Sequence, residues 1–162
     1  MKVGKVDGKA RIRVFAQNGI GAHLYLNSIC KGGENSIAVA GPGNMSDTFS
    51  SFIGTIKNES IGIPETSSVD MMLKRSSFAS KVYYKEYSIN AGEPVTVDMV
   101  FVDPAGYRCG PIASQFIPES KADYEALLDL DFAKGLCKAE FHKISDDGTF
   151  VPLGVSPAKK CN

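Results

Sequence analysis

Between Asp123 and Phe132, the apolar residues Tyr124, Ala126, Leu128, Leu130 and Phe132 alternate with Asp123, Glu125, Asp129 and Asp131. A period of two sends successive side chains to opposite faces, so the stretch predicts a half-buried β-strand with one face on a core and one in water. Cys137, Ala139 and Phe141 then alternate with Lys138, Glu140 and His142, which predicts a second strand and, with the first, a hairpin. A helix over Tyr124 to Phe132 would use the good helix formers Ala126, Leu127 and Leu128, but it leaves Leu130 among the acids, whereas the strand misplaces only Leu127. Pairing Phe132 with Cys137, Leu130 with Ala139 and Leu128 with Phe141 sets every inward residue opposite another.

Similar punctuation runs along the chain. Lys9 to Ala16 and Ala22 to Leu26 read as strands on either side of Asn18-Gly19, and Ser36 to Ala40 is a short apolar strand closed by Gly41-Pro42-Gly43-Asn44. Lys81 to Ile89, Val95 to Phe101, Arg108 to Ile117 and a last hairpin at Asp146-Asp147-Gly148 continue the pattern, and Asp103-Pro104-Ala105-Gly106 is a turn. Only residues 45–80 break it. There Phe49, Phe52, Ile53 and Ile56 have helical spacing behind Ser46 or Asp47, and Val69, Met72 and Leu73 share one face of a second helical turn over Ser68 to Lys74. The prediction is a single all-β domain over 1–162, an antiparallel immunoglobulin-like or transthyretin-like sandwich. It would have about eight to nine strands, with one or two short helices in a long 45–80 connection.

A chain of 162 residues can bury a core without staples. Lys and Arg total 18 and Asp and Glu total 18, and no dense basic stripe appears, which argues against a nucleic-acid partner. No apolar run is long enough for a transmembrane segment, and Met1 to Ala10 is too polar for a signal-peptide core. Cys30, Cys109, Cys137 and Cys161 lack Cys-x-x-Cys spacing, so disulfides are preferred to a zinc site or free thiols. Disulfides imply an oxidising compartment and a leader already removed. In a simple meander Cys109 and Cys137 would lie about 9 to 10 Å apart, beyond disulfide reach. Either Arg108 to Ile117 crosses to the facing sheet or twists at Gly110, or each cysteine seeks Cys30 or Cys161. The tail at Cys161 would be loose unless bonded.

Chemistry-bearing motifs are scarce. His23 and His142 are the only histidines, His142 falls on the face expected to meet water, and no Gly-x-Ser-x-Gly elbow is present. Gly19-Ile20-Gly21 lacks the third glycine of a dinucleotide site. Asp129 and Asp131 read as an acidic solvated face rather than a calcium or acid/base pair. Asn44-Met45-Ser46 and Asn58-Glu59-Ser60 fit the glycosylation triplet, a pattern frequent by chance. The expectation is therefore no catalytic residues, no cofactor and no metal.

Contact with a partner is the better lead. Tyr83, Tyr84 and Tyr87 place ring area on both faces of one strand, a composition that suits an interface or, equally, a central strand buried on both sides. Ile61, Ile63, Met71 and Met72 sit among Ser, Thr and Gly, and would serve either as an adaptable contact or as a plug over one end of the core.

Cys109-Gly110-Pro111-Ile112, Phe116-Ile117-Pro118-Glu119, Asp123-Tyr124-Glu125 and Leu136-Cys137-Lys138 occur in an order that resembles small bacterial periplasmic proteins and lipoproteins with a β-sandwich core. The likeness covers about the last third of the chain. It departs in lacking the modified N-terminal Cys of a lipoprotein, so a lipid anchor would belong to a part lost from this chain. The resemblance implies a periplasmic address and a binding or inhibitory role. The expected function is a non-catalytic module binding another protein, for example an immunity-type inhibitor of a secreted toxin or an envelope accessory lipoprotein. The alternative is a small-ligand or glycan binder using tyrosines as stacking platforms.

Overall fold

The computed structural model describes residues 4–17, 19–32, 35–40, 58–76 and 81–162. Its strands are β1 (Lys9–Ala16), β2 (Ile20–Leu26), β3 (Cys30–Lys31), β4 (Ser36–Ala40), β5 (Tyr83–Asn90), β6 (Val95–Val102), β7 (Arg108–Phe116), β8 (Asp123–Asp131), β9 (Leu136–Ile144), β10 (Phe150–Pro152), β11 (Ser156–Pro157) and β12 (Lys159–Lys160). Among the described residues one α-helix, α1 (Ser67–Leu73), precedes β5. The helix expected over Phe49 to Ile56, the turn at Gly41 to Asn44 and the triplet at Asn44 lie outside the described residues.

The fold is an all-β sandwich. One sheet has the order β10-β9-β8-β1-β5, the other β11-β7-β6-β2-β4, and β12 pairs with β3 in a two-stranded ribbon. The β1–β8 and β3–β12 pairings are parallel and the other strand pairings antiparallel. The described strands exceed the expected eight or nine because β3, β11 and β12 are two residues each, too short to carry a period of two. Ile12, Val14, Tyr124, Ala126 and Leu128 from the first sheet meet Ala22, Leu24, Val97 and Met99 from the second in the main core. Phe116 closes one part of it, its ring 4.9 Å from Tyr124 and 6.2 Å from Phe141.

The opening hairpin forms, with two corrections. Leu130 faces Cys137, Leu128 faces Ala139 and Ala126 faces Phe141, so each partner is displaced by two residues from the expected register. Phe132 leaves the strand to begin a 3-10 turn, Phe132–Lys134, and a shift of two keeps every side chain on its own face. The polar face of β8 does not meet water either: Asp123, Glu125 and Asp129 are buried, as is His142 on β9. Leu127 is fully buried and correctly placed, because α1 lies over that face.

What covers this outer face is the strap of residues 58–76, and the reason is a row of charged and polar groups crossing four strands. Glu86 on β5, Arg13 on β1, Glu125 on β8 and His142 on β9 are register neighbours. Arg13 Nε donates to Glu86 Oε2 at 2.8 Å, Arg13 Nη1 approaches Glu125 Oε2 at 3.4 Å, and His142 Nδ1 lies 2.9 Å from Glu125 Oε1. The strap satisfies the remaining groups: Ser60 Oγ and the Ile61 amide donate to Glu86 Oε1 at 2.7 and 2.8 Å, and Arg13 Nη2 donates to the carbonyls of Ile63 and Pro64 at 2.8 and 2.9 Å. Buried charge survives only when paired and hydrogen-bonded, and here the strap completes the pairing.

Thr66 occupies the N-cap position of α1, yet its hydroxyl donates to Glu125 Oε2 at 2.9 Å instead of capping the helix. Val69, Met72 and Leu73 then pack on Phe15, Val82, Tyr84 and Leu127, forming a second, smaller core. Beyond it Arg75 Nη2 reaches Asp129 Oδ1 at 2.6 Å, so Asp129 belongs to a partly buried ion pair rather than a solvated acidic face.

Two disulfides join Cys30 to Cys161 and Cys109 to Cys137. The second is possible because β7 runs in the facing sheet, the first of the two routes open to it from sequence. The first holds the tail, whose Cys161 amide also donates to the Lys31 carbonyl at 2.8 Å. Both fit an oxidising, extracytoplasmic location. Among the described residues no helix is long and apolar enough to cross a membrane.

Candidate functional site

At one end of the sandwich, two turns from different sheets carry aromatic rings into solvent. The β6–β7 turn is fixed by Asp103: its amide donates to the Tyr107 carbonyl at 3.1 Å, and its Oδ1 accepts the Tyr107 amide at 2.9 Å. An aspartate that binds backbone a few residues on is the usual reason such a turn needs Asp at its start. The β8–β9 turn is fixed in the same manner by Asp131, whose Oδ1 accepts the Lys134 amide at 3.2 Å. Gly135 ends it with φ of 67°, a left-handed conformation natural to glycine.

These turns bring three rings together. Phe132 lies 5.2 Å from Tyr107, centroid to centroid, with planes at 28°, and 5.6 Å from Phe101. Despite that contact Tyr107 remains 57% exposed and Phe132 40%. Arg108 and Lys134 stand exposed beside them. Single exposed apolar residues need no explanation, but two exposed rings stacked on each other from two adjacent turns form a patch.

The patch is held from below. Phe101 pairs with Cys109 across β6 and β7, and Cys109 bonds to Cys137 at the start of β9, so one covalent link ties both turns. Gly110, with φ of +86°, lets β7 bend at this point. A Cβ there would come within 2.8 Å of the Ile112 nitrogen and 2.9 Å of the Met99 carbonyl oxygen.

The residues expected to make the contact lie elsewhere. Tyr83 is buried in the main core, and Tyr84 in the second core, with the Arg13 guanidinium carbon 4.9 Å from its ring centroid. Tyr87 is half-buried against the main core. Both faces of β5 are buried, although the strand lies at a sheet edge and not at the centre expected of a strand buried on both sides. Ile63 and Met72 are buried, Ile61 is half-buried, and Met71 alone of the set is exposed. The strap therefore covers the outer face of one sheet, rather than plugging an end of the core.

His142 is not solvent-facing: its ring stacks on Phe150 at 4.1 Å, and its Nε2 lies 3.6 Å from Glu140 Oε2. Burial alone would raise the Glu125 carboxyl. Hydrogen bonds from His142, Ser68 and Thr66, together with the charge of Arg13, outweigh it and hold the group below the ordinary carboxylate range. His23 lies on β2, its ring 6.1 Å from Tyr25. Among the described residues no three His, Cys, Asp or Glu side chains are grouped to hold a metal ion.

Sequence reasoning passes over Tyr107 and Phe132. The available signal is an aromatic residue set among turn formers, in Asp103-Pro104-Ala105-Gly106-Tyr107 and in Phe132-Ala133-Lys134-Gly135, where a strand core has no claim on it. Searches among protein families, curated proteins and solved structures give no match to this chain.

Proposed function

We propose that this chain is a non-catalytic, extracytoplasmic binding module that contacts another protein through Tyr107 and Phe132. The observation that carries the reading is the exposed aromatic patch on two turns that are each fixed by an aspartate and jointly tied by a disulfide. Tyr, Phe and Arg are enriched at protein interfaces, and a rigid presentation lowers the ordering cost of binding. Loops at the end of a sandwich are free to vary without disturbing the core, as in other sandwich binders. The buried ion row supports the non-catalytic half of the reading, since His142 and Glu125 are both buried in packing contacts.

A periplasmic address, and a role as an immunity-type inhibitor or envelope accessory lipoprotein, agree with the disulfides and with the resemblance of the last third. The test is a paired comparison: Tyr107→Ala with Phe132→Ala should abolish complex formation, while Met71→Ala on the strap should not. A central aromatic contact is worth about 2 kcal/mol or more, roughly 30-fold in Kd. Loss of the complex from Met71→Ala, with the turn variant unaffected, would move the contact to the strap.

A second reading is favoured by the Tyr107–Phe132 stack itself, which offers a flat face to a sugar ring. Saturable change of tyrosine fluorescence by a glycan, absent in Tyr107→Ala, would select it.

A further inference from the structure

The Cys109–Cys137 link differs from the other disulfide in where it sits and how it is exposed. Cys109 is 1% exposed, whereas Cys137 is an exposed residue at the rim of the aromatic patch. Cys30, in β3, and Cys161, just past β12, are both half-buried. The link also spans the two sheets: Tyr107 and Phe101 belong to the β6–β7 side, Phe132 to the β8–β9 side. Each turn keeps its own hydrogen bonds without the link, Tyr107 to Asp103 and Lys134 to Asp131. The rings of one turn meet those of the other only through side-chain contact, which contributes about 1 kcal/mol per pair.

We infer that Cys137 is a site of thiol–disulfide exchange and that opening its bond to Cys109 separates the two aromatic turns, switching the contact surface off. This rests on the reading of those turns as the contact surface. The reductant is a protein dithiol of the thioredoxin class. One of its thiolates attacks Sγ of Cys137, the exposed residue of the pair; the Cys137–Cys109 bond breaks, and Cys109 leaves as a thiolate that takes a proton from water. The second thiol of the reductant then attacks the mixed disulfide, releases Cys137 as a thiol, and leaves the reductant as its disulfide. Two electrons pass from the dithiol to the cystine. Reoxidation by a disulfide oxidant of the same class restores the clasp.

The sandwich itself does not depend on this bond, because its core is packed by residues of both sheets away from the clasp, such as Ile12, Leu24, Val97 and Leu128. Loss of order should therefore be confined to the end that carries the patch.

The experiment uses the intact chain, treated with limiting reduced thioredoxin, trapped with iodoacetamide and mapped by peptide mass. Cys137 and Cys109 are expected to label about tenfold faster than Cys30 and Cys161, as access governs the exchange. In parallel, the nuclear Overhauser effects between the Tyr107 and Phe132 rings should disappear, with amide exchange raised about tenfold or more at Tyr107 and Lys134 and unchanged in β1 and β8. Faster opening of Cys30–Cys161, or ring-to-ring Overhauser effects that survive full reduction of Cys109–Cys137, would overturn the inference. The variant Cys30→Ala/Cys161→Ala, holding only the clasp, repeats the measurement without the second disulfide. If the turns separate on reduction yet Tyr107→Ala leaves a protein complex intact, the exchange site stands and the contact reading falls.

Discussion

His142 and Glu125 face each other across β9 and β8, with Nδ1 of the imidazole 2.9 Å from Oε1 of the carboxylate, at one end of a buried row that continues through Arg13 to Glu86. Thr66 of the strap donates to the same carboxylate. The strap therefore rests on the ionised form of Glu125, and its stability is tied to pH.

The folded Glu125 carboxyl titrates below its ordinary value of 4.5, so as pH falls the unfolded chain takes up the proton first. Its stabilisation is complete above that value and is lost as pH drops through the folded one. Urea midpoints should accordingly be insensitive to Glu125 above about pH 5.5 and fall below about pH 4.5. Glu125→Gln should cost about 3 kcal/mol at neutral pH by leaving Arg13 and Thr66 imperfectly paired, and should flatten the acid limb. An unchanged acid limb in the variant would remove Glu125 from this role.

Leu127 is enclosed by Phe15, Val82 and Tyr84 together with Val69 and Met72 of the covering helix. Leu127→Ala should cost about 2 to 5 kcal/mol in chemical denaturation, since a covered site of this kind collapses only in part. A loss under about 0.5 kcal/mol, the range of a surface change, would show that α1 does not cover β8.

Gly110→Ala should destabilise by more than about 1 kcal/mol, because alanine must enter a left-handed conformation and its Cβ meets backbone atoms on two sides. Thermal melting checks it. A variant as stable as the parent would mean that β7 does not bend there.

How far these features can be read from sequence depends on what each residue answers to. Tyr124, Ala126 and Leu128 alternate because a core lies on one side, and a period of two reports that directly. The same period cannot say what covers the other side. Glu125 and Asp129 look solvated in sequence, and only the fold reveals Arg13 and Arg75 as their partners, since Arg13 is more than a hundred positions away along the chain. Leu127 is the one visible sign, an apolar residue on a supposedly wet face. The expected register is off by two because Phe132 fits the alternation equally well as a strand residue or a turn residue. Tyr83 and Tyr84 stand out by ring area, yet ring area alone does not distinguish an interface from a core. Tyr107 and Phe132, isolated in turns, carry no periodicity at all.

The most direct test of the contact surface is site-specific photocrosslinking in the cells that naturally make the protein. A benzoylphenylalanine would replace Tyr107, with Met71 and Ile117 as exposed control positions. The account predicts one discrete protein adduct from position 107, suppressed by excess unmodified protein but not by excess of the Tyr107→Ala/Phe132→Ala variant, and no such adduct from the controls. An adduct from position 71 or 117 with none from position 107, or equal competition by the variant, would contradict it.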